Sequence, residues 1–247
     1  MPAKKGARHG YSWKTYRVLG GSSGIGLATA QAAARQGANV VIVSSRKDRV
    51  EAALATLPPG AEGHVADLAD ENAIRALFDR LGQFDHLVFT AGENLQIGSL
   101  AATDLDAARR FFATRYWGAF CAAKYGIGKI RTGGSIVFTS GIAGQRPHAG
   151  WALGASICSA MEGLTRALAV ELAPIRVNIV SPGVVKTALW GNVSEAERAA
   201  LYKDTAERSL TGHVADADEI AQAYLYLMRQ GYSTGQVLVV DGGAVLV

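Results

Sequence analysis

The strongest constraint in this chain is an alternation. Short Val/Ile/Leu-rich runs at residues 16–20, 39–44, 64–66, 85–90, 135–139, 176–180 and 236–240 are separated by longer segments, several with helical spacing. Several runs are continuously apolar, the pattern of strands covered on both faces. Helical patterns follow the first run to about Gln36, fill residues 48–57, and take up the long segments 104–129 and 150–172. Repeats of this kind join parallel strands through crossovers. The expectation is an α/β chain: one doubly wound sheet of seven parallel strands, with helices on both faces. No Pro/Ser-rich linker, low-complexity tract or internal repeat breaks it, so residues 16–247 read as one domain. Residues 187–209 read as its most mobile lid.

The formal charge of +4 invites a nucleic-acid reading until it is located. Lys4, Lys5, Arg8, Lys14 and Arg17 lie in a 17-residue start that holds no Asp or Glu. The remaining 230 residues are within one charge of neutral. The charge therefore reads as a solvated tail, with residues 1–15 basic and flexible, and no nucleic-acid partner is expected. That tail lacks the apolar core of a secretory signal. No apolar run approaches the roughly 18 residues of a membrane span, so no membrane partner is expected either. A chain 49% hydrophobic and 19% charged has ample means to bury a core. Cys121 and Cys158 have no C-x-x-C partner and no His/Cys cluster has zinc spacing, so no metal is expected and the reducing cytoplasm is the default compartment.

Glycine is the compositional outlier, 29 residues or about 12% where ~7% is usual. Its densest cluster, Gly20-Gly21-Ser22-Ser23-Gly24-Ile25-Gly26, sits between the first strand pattern and the first helix pattern. Glycines there let backbone approach a pyrophosphate, and the helix start offers free N–H groups and a positive dipole end. At the end of the second strand, Ser44-Ser45-Arg46-Lys47 offers hydroxyls and cations where an NAD site usually carries an acid. Arg46 and Ser45 suit a 2′-phosphate, so the cofactor is expected to be NADP(H) in preference to NAD(H).

These residues carry a family resemblance. The Gly20–Gly26 loop resembles that of short-chain dehydrogenases/reductases, with Leu19 where many members have Thr. Asp67-Leu68, Thr90-Ala91-Gly92, Ser181-Pro182-Gly183 with Thr187, and Asp241-Gly242-Gly243 also resemble family segments, so the likeness covers roughly residues 16–247. It implies a Rossmann fold and a cofactor site at Gly20, Ser22, Ser23, Gly24, Ile25, Gly26, Ser45, Arg46, Asp67, Leu68, Ala91, Gly92, Pro182, Gly183, Val185 and Thr187. It also implies a homodimer or homotetramer packed through segments 104–129 and 150–172.

The family's Asn-Ser-Tyr-Lys tetrad is where the likeness breaks. Aligned on Ser140–Gly144 and Met161–Thr165, the slots fall on Arg115, Gly141, Gly154 and Cys158. No Tyr occurs between Tyr125 and Tyr202, and no Lys between Lys129 and Lys186, so no shift of register restores the pair. The chain is thus similar to an atypical branch that keeps the cofactor apparatus and replaces the proton-transfer residues. Three candidates for charge and proton handling remain. Arg115 is a fixed cation suited to an alkoxide. His148 is a loop histidine suited to neutral-pH acid chemistry. Ser140 neighbours the vacated slot, although strand alternation can turn it away. Each has a plainer reading as a surface or packing residue, as has Cys158 in the Lys slot. Two glycines in hydroxyl slots enlarge the pocket and favour a bulky or self-activated small molecule, such as a quinone or conjugated carbonyl. The expected function is an NADPH-dependent oxidoreductase with a non-standard active site. The alternative is a catalytically silent NADP(H)-binding redox sensor or partner protein, and a lyase- or dehalogenase-like chemistry ranks last.

Overall fold

The computed structural model describes residues 14–247. Strands β1 (Thr15–Leu19), β2 (Asn39–Ser44), β3 (Glu62–Val65), β4 (Phe84–Phe89), β5 (Ile130–Thr139), β6 (Arg176–Pro182) and a late strand β9 (Val237–Val240) form one parallel sheet in the order β3-β2-β1-β4-β5-β6-β9. A separate two-residue bridge joins β7 (Val185–Lys186) to β8 (Ala215–Asp216). The seven expected strands are all present, with ends shifted by a few residues at β3 and β5.

Each face of the sheet has its own core. On one side, α1 (Gly24–Arg35), α2 (Lys47–Leu54) and α8 (Ala217–Arg229) cover Val18, Ile42, Val88, Val137 and Val180. Alanines at 28, 30, 32 and 33 let α1 lie close to the strands. On the other, α3 (Glu71–Arg80), α5 (Ala119–Gly126) and α6 (Ala152–Glu171) cover Leu19, Val43, Leu87, Phe89, Phe138 and Ile179. Alternate strand residues feed alternate cores, so continuous apolar runs were required. No helix among the described residues is long and apolar enough to cross a membrane.

Two expectations need correction. Lys14, expected in the flexible tail, is part of the fold, and the charge of Arg17, counted with that tail, is buried in β1. Lys14 Nζ pairs with Asp85 Oδ1 at 3.0 Å, the Thr15 amide donates to Asp85 Oδ2 at 2.8 Å, and Arg17 is buried with its guanidinium 5.5 Å from the Phe84 ring centre. A buried carboxylate at the start of β4 demands cations beside it. Lys4, Lys5 and Arg8 lie outside the described residues. The second correction concerns segment 104–129, which is not one helix. It comprises α4 (Leu105–Phe112), a wide π turn over Ala113–Gly118, α5, and a 3-10 end at Ile127–Lys129. Segment 187–209 holds a short 3-10 turn (Ala188–Trp190) and α7 (Glu195–Arg208); Trp190 is buried, its Nε1 donating to Val185 O at 3.0 Å.

Candidate active site

A cavity of about 380 Å³ runs along the carboxyl ends of β1, β2, β4, β5 and β6. That is where open α/β sheets bind ligands. The turn after β1 forms one wall. Gly20 and Gly21 both donate their amides to Val43 O, at 2.9 and 3.2 Å, and Gly20 takes φ +87°. A Cβ on Gly20 would stand 2.5 Å from Ala91 N, and one on Gly26 would overlap Gly20 O and Thr90 Oγ1. Only glycine lets strand, turn and helix meet this closely. Ser23 begins α1 without a side-chain cap, and the first turn carries no acid, so the helix presents uncancelled N–H groups beside the cavity. Leu19 is fully buried in the core, so the Thr-to-Leu difference places no polar atom in the loop.

The expected cofactor residues converge here. Gly20, Ser22, Ser23, Gly24, Ile25 and Gly26 line the cavity. So do Ser45, Asp67, Leu68, Ala91, Gly92, Pro182 and Thr187. Arg46, Gly183 and Val185 do not. Arg46 is turned onto Asp48, with Nε 3.1 Å from Oδ1 and Nη2 on Oδ2. Gly183 packs on Asp241, and Val185 is committed to the β7–β8 bridge. Arg49 lines the cavity instead. The sequence signal for it was its spacing, three residues beyond Arg46 on a helix pattern. A pyrophosphate-bearing dinucleotide fits this donor set: bare backbone, an uncapped helix start, Ser44 and Ser45 hydroxyls, and one arginine.

The other end of the cavity separates the three catalytic candidates. Arg115 lies inside it. Its guanidinium donates to the Glu93 backbone carbonyl and sits 4.9 Å from the Phe111 ring centre, while its Nε is enclosed without a partner. A Cβ on Gly92 would come within 2.5 Å of Arg115 Cζ, so this glycine makes room for the arginine. The Glu93 carboxylate is taken by the Thr114 hydroxyl and makes no ion pair with Arg115. Burial pulls the guanidinium below its ordinary pKa against the pull of Glu93 and Cys158, yet it remains a cation at neutral pH. The π turn aims this side chain: it widens the helix at Arg115, and Glu93 binds both Thr114 and Arg115.

Ser140 also lines the cavity, but its hydroxyl faces α6, 3.2 Å from Cys158 O and 3.1 Å from Glu162 Oε1. Its one proton is thereby engaged. His148 is exposed and does not line the cavity; it leans on Trp151, ring centres 6.0 Å apart. Burial pushes the Cys158 thiol up against the Ser140 hydrogen bond and Arg115, so it is protonated at neutral pH. The Ser and Tyr slots do not enlarge the cavity as expected: neither glycine lines it, a Cβ on Gly141 would be in ordinary contact with Cys158 Sγ at 3.4 Å, and one on buried Gly154 with Trp151 Cε3 at 3.8 Å.

Comparison with known proteins agrees with this geometry. A family model described as Enoyl-(Acyl carrier protein) reductase matches residues 20–245. The short-chain dehydrogenase/reductase ATR9 of Stachybotrys chlorohalonatus is 38% identical, over 93% of this chain and 96% of its own. A small-chain dehydrogenase solved in complex with NADPH superposes with TM-score 0.81 at 36% identity, covering 96% of this chain and all of that one. The MalC Reductase/Diels-Alderase of Malbranchea aurantiaca superposes with TM-score 0.88 at 30% identity, covering 96% and 98%. A doubly wound seven-stranded sheet, a glycine turn under its switch point and relatives matched over almost their whole length lead to one assignment: the chain belongs to the short-chain dehydrogenase/reductase family, as an oxidoreductase-type member.

Proposed function

We propose that this protein is an NADPH-dependent reductase of a small carbonyl or quinone-like compound, working without the family's tetrad. The observation that carries the reading is Arg115: a cation inside the cofactor cavity, without a carboxylate partner, at the tetrad's Asn slot. NADPH, when bound, supplies the hydride. The chain's own residues bind and orient it and offset charge on the acceptor oxygen. Arg49 and the Ser44–Ser45 pair support the 2′-phosphate preference, as does the NADPH-bound relative. Fixed positive charge aimed at a developing oxyanion is a recognised source of rate.

Cytoplasmic placement is supported by Cys121 and Cys158, both free thiols. Pairing of two copies through the α4–α5 and α6 faces is supported by exposed apolar side chains there, Trp117 (57% exposed), Phe120 (38%) and Val170 (82%). Light scattering on the purified protein tests it, and a monomer refutes it.

One observation favours a second reading, a silent NADP(H)-binding sensor: no free hydroxyl or imidazole faces the acceptor end of the cavity from Gly141, Gly154, Ser140 or His148. Fluorescence titration with NADPH and NADH, followed by NADPH oxidation against quinones, diketones and aldehydes, separates the two. Turnover of any acceptor supports the reductase; tight binding with no turnover supports the sensor.

A further inference from the structure

The chain leaves the cavity wall at Leu189 and enters α7, a helix with no buried side chain. Apolar packing does little to fix such a helix, so its place depends on how its ends are tied. Ahead of it, buried Trp190 donates to Val185 O, and Asn192 Nδ2 donates to Leu95 O at 3.1 Å. Behind it, the ties go to one place, the turn Asp241–Val245. The Leu210 amide and the hydroxyl of buried Ser209 donate to Gly242 O at 2.9 and 3.1 Å. A Cβ on Gly242, which takes φ +65°, would stand 2.4 Å from Ser209 Oγ, so the turn meets this segment at its backbone. Asp241 stiffens the turn from within: Oδ1 accepts from the Gly243 amide at 2.9 Å and Oδ2 from the Val245 amide at 2.8 Å.

The turn also holds a second segment. Arg146 Nη1, on the loop 141–151 between β5 and α6, donates to Ala244 O at 3.2 Å. That loop starts from Ser140, which lines the cavity. We infer that the Asp241–Val245 turn is a strap coupling α7 to the 141–151 loop, so that these two flanks of the cavity loosen and tighten as one body. Carbonyls two residues apart, Gly242 O and Ala244 O, carry one flank each, and Asp241 makes them a rigid pair. Coupling of this kind is reciprocal. The glycine turn after β1 lies outside the linkage, its amides fixed on Val43 O. The phosphate end of the cavity therefore keeps its shape whether the strap is fastened or not, and the strap governs only the entry of the acceptor.

Amide hydrogen exchange on the full-length protein, free and saturated with NADPH, tests the coupling through variants made on opposite sides of the strap. Ser209→Ala is expected to raise exchange about fivefold in α7, the loss of one ordinary hydrogen bond, and also at Gln145 and Trp151 on the far flank. Arg146→Ala is expected to raise it at Trp151 and, across the strap, in α7; Arg146→Lys, which keeps a donor, should restore most of the protection. Asp241→Ala is expected to loosen both flanks by more than either single change. Exchange in β1 and α1 should stay at the parent level in every variant, which shows that the fold is intact. If Ser209→Ala and Arg146→Ala each loosen only their own flank, or neither flank responds, the inference is overturned. Exchange needs no turnover, so absence of activity would count against the reductase reading alone.

Discussion

Arg46 and Arg49 offer a clean discrimination, because sequence pointed to the first and the cavity contains the second. Consider Arg49→Ala. Arg49 is exposed on α2, whose anchoring to the sheet comes from buried Val50 and Ala53, so the substitution should leave stability unchanged. A hydrogen bond to a charged group contributes about 1.5–3 kcal/mol, and at an exposed, salt-screened site the lower end applies. About 1.5–2 kcal/mol corresponds to a roughly 10- to 30-fold rise in Kd. That rise is expected for NADPH alone, since NADH has no 2′-phosphate. Arg46→Ala should change NADPH affinity by less than about threefold, because its guanidinium is already paired with Asp48 in an exposed salt bridge. Fluorescence titration of both variants and the parent protein with both nucleotides, at two salt concentrations, reads these constants. If Arg46→Ala reproduces the loss and Arg49→Ala does not, the assignment of the phosphate ligand from cavity geometry is wrong.

Three further outcomes follow from other parts of the molecule. Gly26→Ala should abolish nucleotide binding, since its Cβ overlaps Gly20 O and Thr90 Oγ1; an equilibrium titration checks it. Buried His86, its Nδ1 2.8 Å from Ser135 Oγ, is held neutral, burial lowering its pKa to about 3. Its depressed folded value means full stability above the unfolded pKa of about 6.5, lost as pH falls toward 3 at up to about 1.4 kcal/mol per unit. Denaturant melts between pH 6 and 4.5 should show that slope, and His86→Asn should flatten it. Finally, the quadruple variant Arg115→Asn, Gly141→Ser, Gly154→Tyr, Cys158→Lys should gain reduction of a simple ketone such as cyclohexanone; a Cβ at either glycine meets no atom closer than 3.4 Å, and NADPH titration checks that the variant folds.

The sheet was legible because a strand buried on both faces has to be apolar throughout; residues 39–44 needed no adjustment. The glycine turn was legible because sterics leave glycine no substitute at Gly20 and Gly26. What stayed hidden depended on contacts between distant segments. One case is local: Asp48, two residues on, takes Arg46, and residue types alone do not show that pairing. Arg115 was a candidate by its slot, but what aims it inward was not legible, because a regular helix from 104 to 129 was expected. The partner that turns it inward, Glu93, lies 22 residues earlier. Lys14 looked like a tail charge because Asp85, about 70 residues on, is invisible to a local window.

The π turn at Ala113–Gly118 has an evolutionary side. A helix advances about 100° per residue, and a wide turn accommodates one residue more than the regular spiral. Loss of a single codon in this stretch would close it into ordinary helix and swing Arg115 by about 100° relative to α5, taking the cation away from the cavity. Lineages that gain or drop that codon would therefore reposition this cation while the glycine turn after β1 stays the same.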